Sequence, residues 1–93
     1  MHLVLEMSLS REDFLRLLPG AVKPGGIREE GGTFSGLDGA RRWSIRLSPL
    51  AGRRLGNAVL PCHSVEIHLE GYTEGEAAAF MTRFHRGFQR GGG

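Results

Sequence analysis

Cysteine is nearly absent from this 93-residue sequence: Cys62 is the only one, so no disulfide can form within the chain. A chain without internal disulfides fits a reducing compartment. The N-terminus has no basic region, and Glu6 interrupts its short apolar run, so it does not match a secretory signal. No apolar run approaches the roughly 20 residues of a membrane-spanning helix. These absences predict a soluble, cytoplasmic protein that does not engage a membrane.

Motifs for catalysis and for cofactors are also missing. Neither G-x-G-x-x-G nor G-x-x-x-x-G-K-[ST] occurs between a predicted strand and a predicted helix, which argues against a phosphate-binding loop. Cys62 and His63 are adjacent, whereas a zinc site needs four convergent ligands at wider spacing. A reactive thiolate at Cys62 would need an exposed, cationic setting, and no orienting acid is identifiable beside it. We therefore expect no catalytic residue, no metal and no cofactor, and a protein that is not an enzyme.

Lysine is as rare as cysteine, since Lys23 is the single lysine among 12 basic residues. An arginine excess of this kind is typical of a GC-rich, bacterial-like genome. The net charge is only +2, but its distribution is uneven. Residues 1–40 contain four basic and six acidic residues, whereas residues 41–93 contain eight and four. A basic second half of this kind can mark an anion-binding face.

The strongest pattern that is present covers residues 64–90. Residues 64–70 alternate polar and apolar, which is typical of a strand with one buried face. After Gly71, apolar residues recur at helical spacing and form one stripe. The members of this stripe are Ala77, Phe80, Met81, Phe84 and Phe88. Thr73 and Glu76 are spaced as a capping box at the start of the helix.

The N-terminal region predicts a second strand–helix pair. Residues 2–7 alternate in the same way and indicate a first strand. Ser10 is placed to cap a short helix, with Leu9 and Phe14 as a hydrophobic staple. Pro19-Gly20 is expected to end that helix.

The middle of the chain predicts two strands joined by a tight turn. The first runs over residues 27–37 and carries a bulge at Gly31-Gly32. Asp38-Gly39 predicts a two-residue type I′ turn, and the resulting register pairs Phe34 with Trp43. Residues 49–63 are expected to form a long connection, part of which packs onto the domain.

The predicted fold class is therefore α+β. Residues 1–90 form a single domain in the order β-α-β-β-β-α, and residues 91–93 form a flexible glycine tail. The architecture is a two-layer sandwich, in which a four-stranded, mainly antiparallel sheet carries both helices on one face.

One candidate site is a polar cluster on the outer face of the sheet. Its members are Arg46, Glu66, His68 and Glu70. Carboxylates on both sides of His68 would favour the protonated imidazole and could form an acid–base or pH-sensing group. A solvated face with cross-strand ion pairs accounts for the same residues, because antiparallel sheets commonly have one wet face.

The other candidate site is a set of arginines that could bind anions or an acidic partner. It comprises Arg41, Arg42, Arg53, Arg54, Arg83, Arg86 and Arg90. The last three share one stripe of the C-terminal helix and could contact phosphates. The ordinary interpretation is a solvated helix face, with arginines that suit the negative end of the helix dipole. The scarcity of lysine and the low net charge argue against nucleic acid.

These observations predict a small, non-enzymatic interaction or adaptor module. Its expected partner is a protein, which includes a second copy of the chain as a homodimer. The alternative is a nucleic-acid-binding domain that uses the arginines of the 49–63 segment and of the last helix.

Overall fold

The computed structural model describes residues 1–22 and 26–92, without the side chains of Arg53 and residues 90–92. Within those residues there are five strands and two helices. The strands are β1 (His2–Met7), β2 (Arg28–Glu30), β3 (Thr33–Asp38), β4 (Arg41–Leu55) and β5 (Ala58–Glu70). The helices are α1 (Arg11–Ala21) and α2 (Glu74–Gly92). All pairings are antiparallel, and the strand order is β1-β5-β4-β3-β2.

The predicted α+β class is confirmed, with a sheet on one side and two helices on the other. One apolar core joins the inner face of the sheet to both helices, and Phe14 of α1 packs on Phe88 of α2. The sheet has five strands rather than the predicted four. The order is consequently β-α-β-β-β-β-α.

The extra strand arises at Gly31-Gly32, where a bulge was predicted. Both glycines have positive φ, +58° and +83°, and Glu30 pairs with Thr33 across them. Two consecutive residues in this conformation form a type I′ hairpin turn, which reverses the chain instead of kinking it. The bulge prediction is therefore wrong, and the segment 27–37 is a hairpin of β2 and β3.

The turn between β3 and β4 lies one residue later than predicted. Asp38 pairs with Arg41, so Gly39 and Ala40 are the central residues, and only Gly39 has positive φ (+66°). That combination matches a type II′ turn with glycine at its first central position. The change of turn also changes the register, because Phe34 pairs with Ile45 and not with Trp43.

Trp43 instead lies opposite Gly36. A Cβ atom at position 36 would fall 2.6 Å from Cζ2 of the indole, which is closer than real contacts allow. The indole therefore occupies the space that a side chain at position 36 would need. Trp43, Ile45 and Leu47 all face the core as predicted, and all three are buried.

The inner face of the sheet has a row of apolar residues that crosses four strands. Leu3, Ile67, Ile45 and Phe34 are successive neighbours in β1, β5, β4 and β3. Three of them are at most 2% exposed, and Leu3 packs at the margin. Burying such side chains contributes about 1.5–3 kcal/mol each, so this row fixes the register of the sheet.

Both predicted helix caps are present. The Asp13 amide donates to Oγ of Ser10 (3.1 Å). The Thr73 amide donates to Oε1 of Glu76 (2.9 Å), and the Glu76 amide donates to Oγ1 of Thr73 (3.2 Å). These bonds satisfy amides that have no partner inside a helix.

Two predictions concern helix ends. Pro19 does not end α1, because the helix continues to Ala21 with Val22 as its C-cap. The helix α2 extends to Gly92, so its backbone includes the first two glycines of the predicted tail. Gly93 lies outside the described residues, and the flexibility of the tail stays a prediction.

Residues 49–63 form the far part of a β-hairpin and not a long connection. β3 ends its pairing at Arg46 and β1 at His63, whereas β4 and β5 remain paired as far as Leu55 and Ala58. The register shifts between Leu50 and Arg53, and Gly56 forms the turn with a φ of +60°. The prediction was wrong because a glycine-rich segment with prolines can still pair when a bulge absorbs its irregularity.

The contact of Trp43 with Gly36 gives a stability prediction. We expect Gly36→Ala to lower the free energy of unfolding by about 1–3 kcal/mol, as for an added methyl group in a packed core. Urea titration measures the change. Gly20→Ala is the control, because a Cβ there meets nothing within 4 Å and alanine favours a helix.

The cost should shrink in a Trp43→Phe background, since the smaller ring leaves room for the new methyl group. An equal cost in both backgrounds would show that the indole does not impose glycine at position 36.

Candidate functional site

The polar cluster lies where the alternation placed it, on the outer face of the sheet. His2, His68, Ser44, Ser35 and Arg28 form one row across all five strands. The neighbouring row contains Val4, Glu66, Arg46, Thr33 and Glu30. The first row has basic and hydroxyl side chains, and the second adds the two carboxylates of Glu66 and Glu30, so the face is mainly polar apart from Val4.

The closest contacts of this face involve His2. Its Nε2 lies 2.6 Å from Oε2 of Glu66, and its ring centroid lies 5.4 Å from that of His68. Sequence reasoning placed His68 between Glu66 and Glu70, but the carboxylate contact belongs to His2. Among the described residues, no group of three His, Cys, Asp or Glu side chains could hold a metal ion. The exposed setting suits surface ion pairs, which contribute little to stability.

The candidate arginines do not converge on one surface. Arg42 lies opposite Glu70 in the sheet, and Arg54 lies near the tip of the β4–β5 hairpin. Arg83 and Arg86 project from α2 on the helix side, where Arg41 also points. The side chains of Arg53 and Arg90 lie outside the described residues. The arginines therefore occupy at least three separate regions of the molecule.

The side chains of Cys62 and His63 lie on opposite faces of the sheet, as those of successive residues in a strand do. Cys62 is buried, and its Sγ lies 3.9 Å from Oε1 of Glu6, so its setting is acidic rather than cationic. His63 faces the helices, with Nδ1 2.8 Å from the carbonyl oxygen of Leu9. This contact joins β5 to the segment that begins α1.

A cleft of ≈ 610 Å³ lies between α2, the end of α1 and the β3–β4 turn. Its apolar part is built by Trp43, Tyr72 and Phe80, and the Phe80 ring contacts both of the others (centroids 6.3 and 5.8 Å). Its polar part includes Arg41, Asp38, Glu76, Arg83 and Arg86. Sequence reasoning missed this cleft, since its walls come from three parts of the chain that no local pattern connects.

Arg41 is the ionic centre of the cleft. It lies 3.2 Å from a carboxylate oxygen of Asp38 and 2.7 Å from one of Glu76. Its guanidinium also lies over the ring of Tyr72, 5.4 Å from the centroid. Arg41 thus joins the β3–β4 turn to the first turn of α2. Arg41 was predicted to bind an anion, but its guanidinium already pairs with the carboxylates of Asp38 and Glu76.

The hydroxyl of Tyr72 is buried at this junction and has no hydrogen-bond partner among the described residues. Burial raises the pKa of Tyr72 above its ordinary value of 10.0, and the carboxylate of Asp38 raises it further. The hydroxyl is therefore neutral at physiological pH. A buried polar group without a partner costs about 1–3 kcal/mol.

The end of the β4–β5 hairpin is a second candidate site. We call residues 50–62 the arm. Because β1 and β3 stop before it, the arm is a two-stranded ribbon without a neighbouring strand in the described chain. It exposes four apolar side chains, with Leu55 and Val59 about 60% exposed. The full set is Leu50, Leu55, Val59 and Leu60.

Comparisons with protein-family models, with curated proteins and with solved structures found no match to this chain. Neither of the described helices combines the length and the apolarity that crossing a bilayer would require.

The hydroxyl of Tyr72, unpaired among the described residues, should lower the stability of the fold, and its removal tests this. Tyr72→Phe should raise the free energy of unfolding by about 1 kcal/mol, because it removes a buried hydroxyl that has no partner. Tyr72→Leu is the control and should lower stability, since it also removes the ring contacts with Phe80 and Arg41. Urea titration distinguishes the two. A loss of stability in Tyr72→Phe would mean that the hydroxyl has a partner after all.

Glu76 generates a pH prediction. The hydrogen bond from the Thr73 amide lowers the pKa of Glu76 below its ordinary value of 4.5, and the charge of Arg41 also lowers it. A carboxylate with a lowered pKa stabilises the fold above its unfolded-state pKa, and this contribution disappears as the pH falls through the folded-state pKa.

Glu76→Gln should therefore flatten the decrease in stability between about pH 5 and about pH 3. Thermal unfolding across that range measures the slope, with Glu74→Gln as the control on the same helical turn. Identical slopes for wild type and Glu76→Gln would contradict the prediction.

Proposed function

We propose that the chain is a small cytoplasmic protein-interaction module whose contact element is the arm. The observation that carries this proposal is the exposure of apolar side chains on a ribbon beside which no strand of the described residues lies. Scattered exposed apolar residues are ordinary on a protein surface. Four of them lie within the 13 residues of the arm, and Leu50, Leu55 and Leu60 share one face, as in the apolar patches that mark contact surfaces.

Strand pairing defines which side chains act together. Residues directly opposite each other in an antiparallel pair share a face, so Leu55 and Ala58 lie on the same face as Leu60. Val59 and Arg54 form the other face. One face of the arm therefore groups Leu55, Ala58 and Leu60, with position 53 directly opposite Leu60, and this grouping suits it as the centre of an interface.

The backbone of the arm supports the same proposal. A two-stranded hairpin alone is marginally stable in water, because it buries little apolar surface. Its two edges carry N–H and C=O groups that a further strand could pair with. A partner that covers the apolar face or extends the ribbon would thus stabilise the arm as it binds.

The charge of the arm indicates the chemistry of the partner. Residues 49–65 contain Arg53 and Arg54 and no acidic residue. A complementary protein surface has an apolar centre with carboxylates at its margin, since rim charges steer association and set specificity. A second copy of the chain also offers carboxylates, on the outer face of its sheet.

The alternative of nucleic-acid binding has less support. Affinity for a nucleic acid comes largely from several basic side chains that contact successive phosphates. The described arginines are distributed over the outer sheet face, the arm and the cleft. Arg41 in addition is neutralised by Asp38 and Glu76.

The test compares the double variant Leu55→Ser/Leu60→Ser with the control Leu37→Ser. Leu37 is 57% exposed and Leu55 59%, but Leu37 lies on β3, away from the arm. Each protein is immobilised and incubated with lysate of the native cell, with and without nuclease, and the retained proteins are quantified by mass spectrometry. Light scattering of the purified proteins measures self-association.

We expect one defined protein, or a second copy of the chain, to bind wild type and Leu37→Ser but not the arm variant. The effect should be about tenfold or more, because a central apolar contact contributes about 2 kcal/mol or more to binding. Equal retention by all three proteins would reject the arm as the contact element. Retention that nuclease abolishes would favour nucleic acid instead.

A further inference from the structure

The cleft has the size and the mixed lining of a small-molecule site. Its volume of ≈ 610 Å³ falls within the roughly 300–1,000 Å³ range of ligand pockets. Such pockets usually combine apolar and aromatic walls with a few polar groups that orient the ligand. Here Trp43 and Phe80 supply the apolar wall and the arginines of α2 supply the polar one.

The carboxylates of the cleft both lie at its Arg41 end. Asp38 and Glu76 both pair with Arg41. Arg83 and Arg86 form no ion pair with any other described residue. Within the described lining, Arg83 and Arg86 therefore present two positive charges that no described carboxylate pairs with.

These arginines are adjacent on the helix. Residues three apart lie on neighbouring turns of the same face, so both guanidinium groups can reach one anion. A guanidinium presents several N–H donors in a planar fork that matches a carboxylate. Charge-assisted hydrogen bonds of this kind are stronger than neutral ones.

We propose that the cleft binds a small amphipathic carboxylate, with its anionic group on Arg83 and Arg86 and its apolar body against Trp43 and Phe80. The carboxylates of Asp38 and Glu76 line the same cleft and repel added negative charge. A singly charged carboxylate therefore fits the cleft better than a phosphate monoester, which carries about −1.5 to −2 at neutral pH. This site is on the helix side of the molecule and is separate from the arm.

The test uses three probes with the same phenyl group: 4-phenylbutyrate, the neutral alcohol 4-phenylbutan-1-ol, and phenyl phosphate. Trp43 is the only tryptophan of the chain and lines the cleft, so its fluorescence reports binding directly. The variants are Arg83→Gln/Arg86→Gln and the control Arg42→Gln/Arg54→Gln, which removes the same charge elsewhere. Glutamine preserves helix propensity at the two helical positions.

We expect saturable binding of 4-phenylbutyrate that weakens about tenfold or more in Arg83→Gln/Arg86→Gln and is unchanged in the control. The alcohol should bind more weakly than the carboxylate and be insensitive to both variants. Ala79→Phe should abolish binding of both, because Ala79 is an exposed residue that lines the cleft.

Three results would overturn the proposal. These are an absence of saturable binding, equal affinity for carboxylate and alcohol, and equal weakening by the two arginine variants. Tighter binding of phenyl phosphate would overturn the assignment to a carboxylate. Circular dichroism of each variant verifies that the fold is retained.

Discussion

The contact between Trp43 and Gly36 is the constraint on which the helix side of the molecule depends. The indole can lie flat against β3 only where β3 has no side chain, so it selects one register for the β3–β4 hairpin. That register places Asp38 opposite Arg41 at the turn. Arg41 then reaches Glu76 in the first turn of α2, and the cleft forms between these elements.

The arm likewise depends on a glycine that lies against a side chain of the paired strand. β4 and β5 extend beyond the ends of their neighbours β3 and β1. The bulge after Leu50 lets β4 and β5 stay paired over this extension. At Gly52 a Cβ would lie 2.5 Å from Cγ1 of Val59, so the bulge depends on glycine at that position. The molecule therefore has one closed apolar core and one open apolar ribbon, and only the core is covered by the helices.

Sequence periodicity predicted the helices and strands that have a strong apolar pattern. It also predicted which face of each is buried. The strand at 64–70, the stripe of α2 and both helix caps depend on local spacing, which a sequence displays directly. The number of strands and the turn positions depended instead on glycine conformation. Gly31-Gly32 fits a bulge or a turn equally well from sequence, and the choice between Asp38-Gly39 and Gly39-Ala40 depends on how Trp43 packs.

The candidate sites also differ in whether local sequence pattern or the tertiary fold brings their residues together. The polar face of the sheet was predictable, because strand alternation alone places Glu66 and His68 there. The arginines were identified as residues but not as a surface, since their grouping requires the tertiary fold. The cleft had no local signal at all, and the pairing of Arg41 with carboxylates from two elements could not be inferred from its sequence neighbours.

The position of β1 has a consequence for the order in which this chain is made. Strands β2 to β5 pair with their sequence neighbours and can close as successive hairpins, whereas β1 pairs with residues 56 to 66 positions further along the chain. On the ribosome, β1 emerges before β2, β3 and β4 but cannot pair until β5 has been synthesised. The backbone N–H and C=O groups of β1 that pair with β5 thus stay unpaired while β2, β3 and β4 form, and β1 joins the sheet only together with β5.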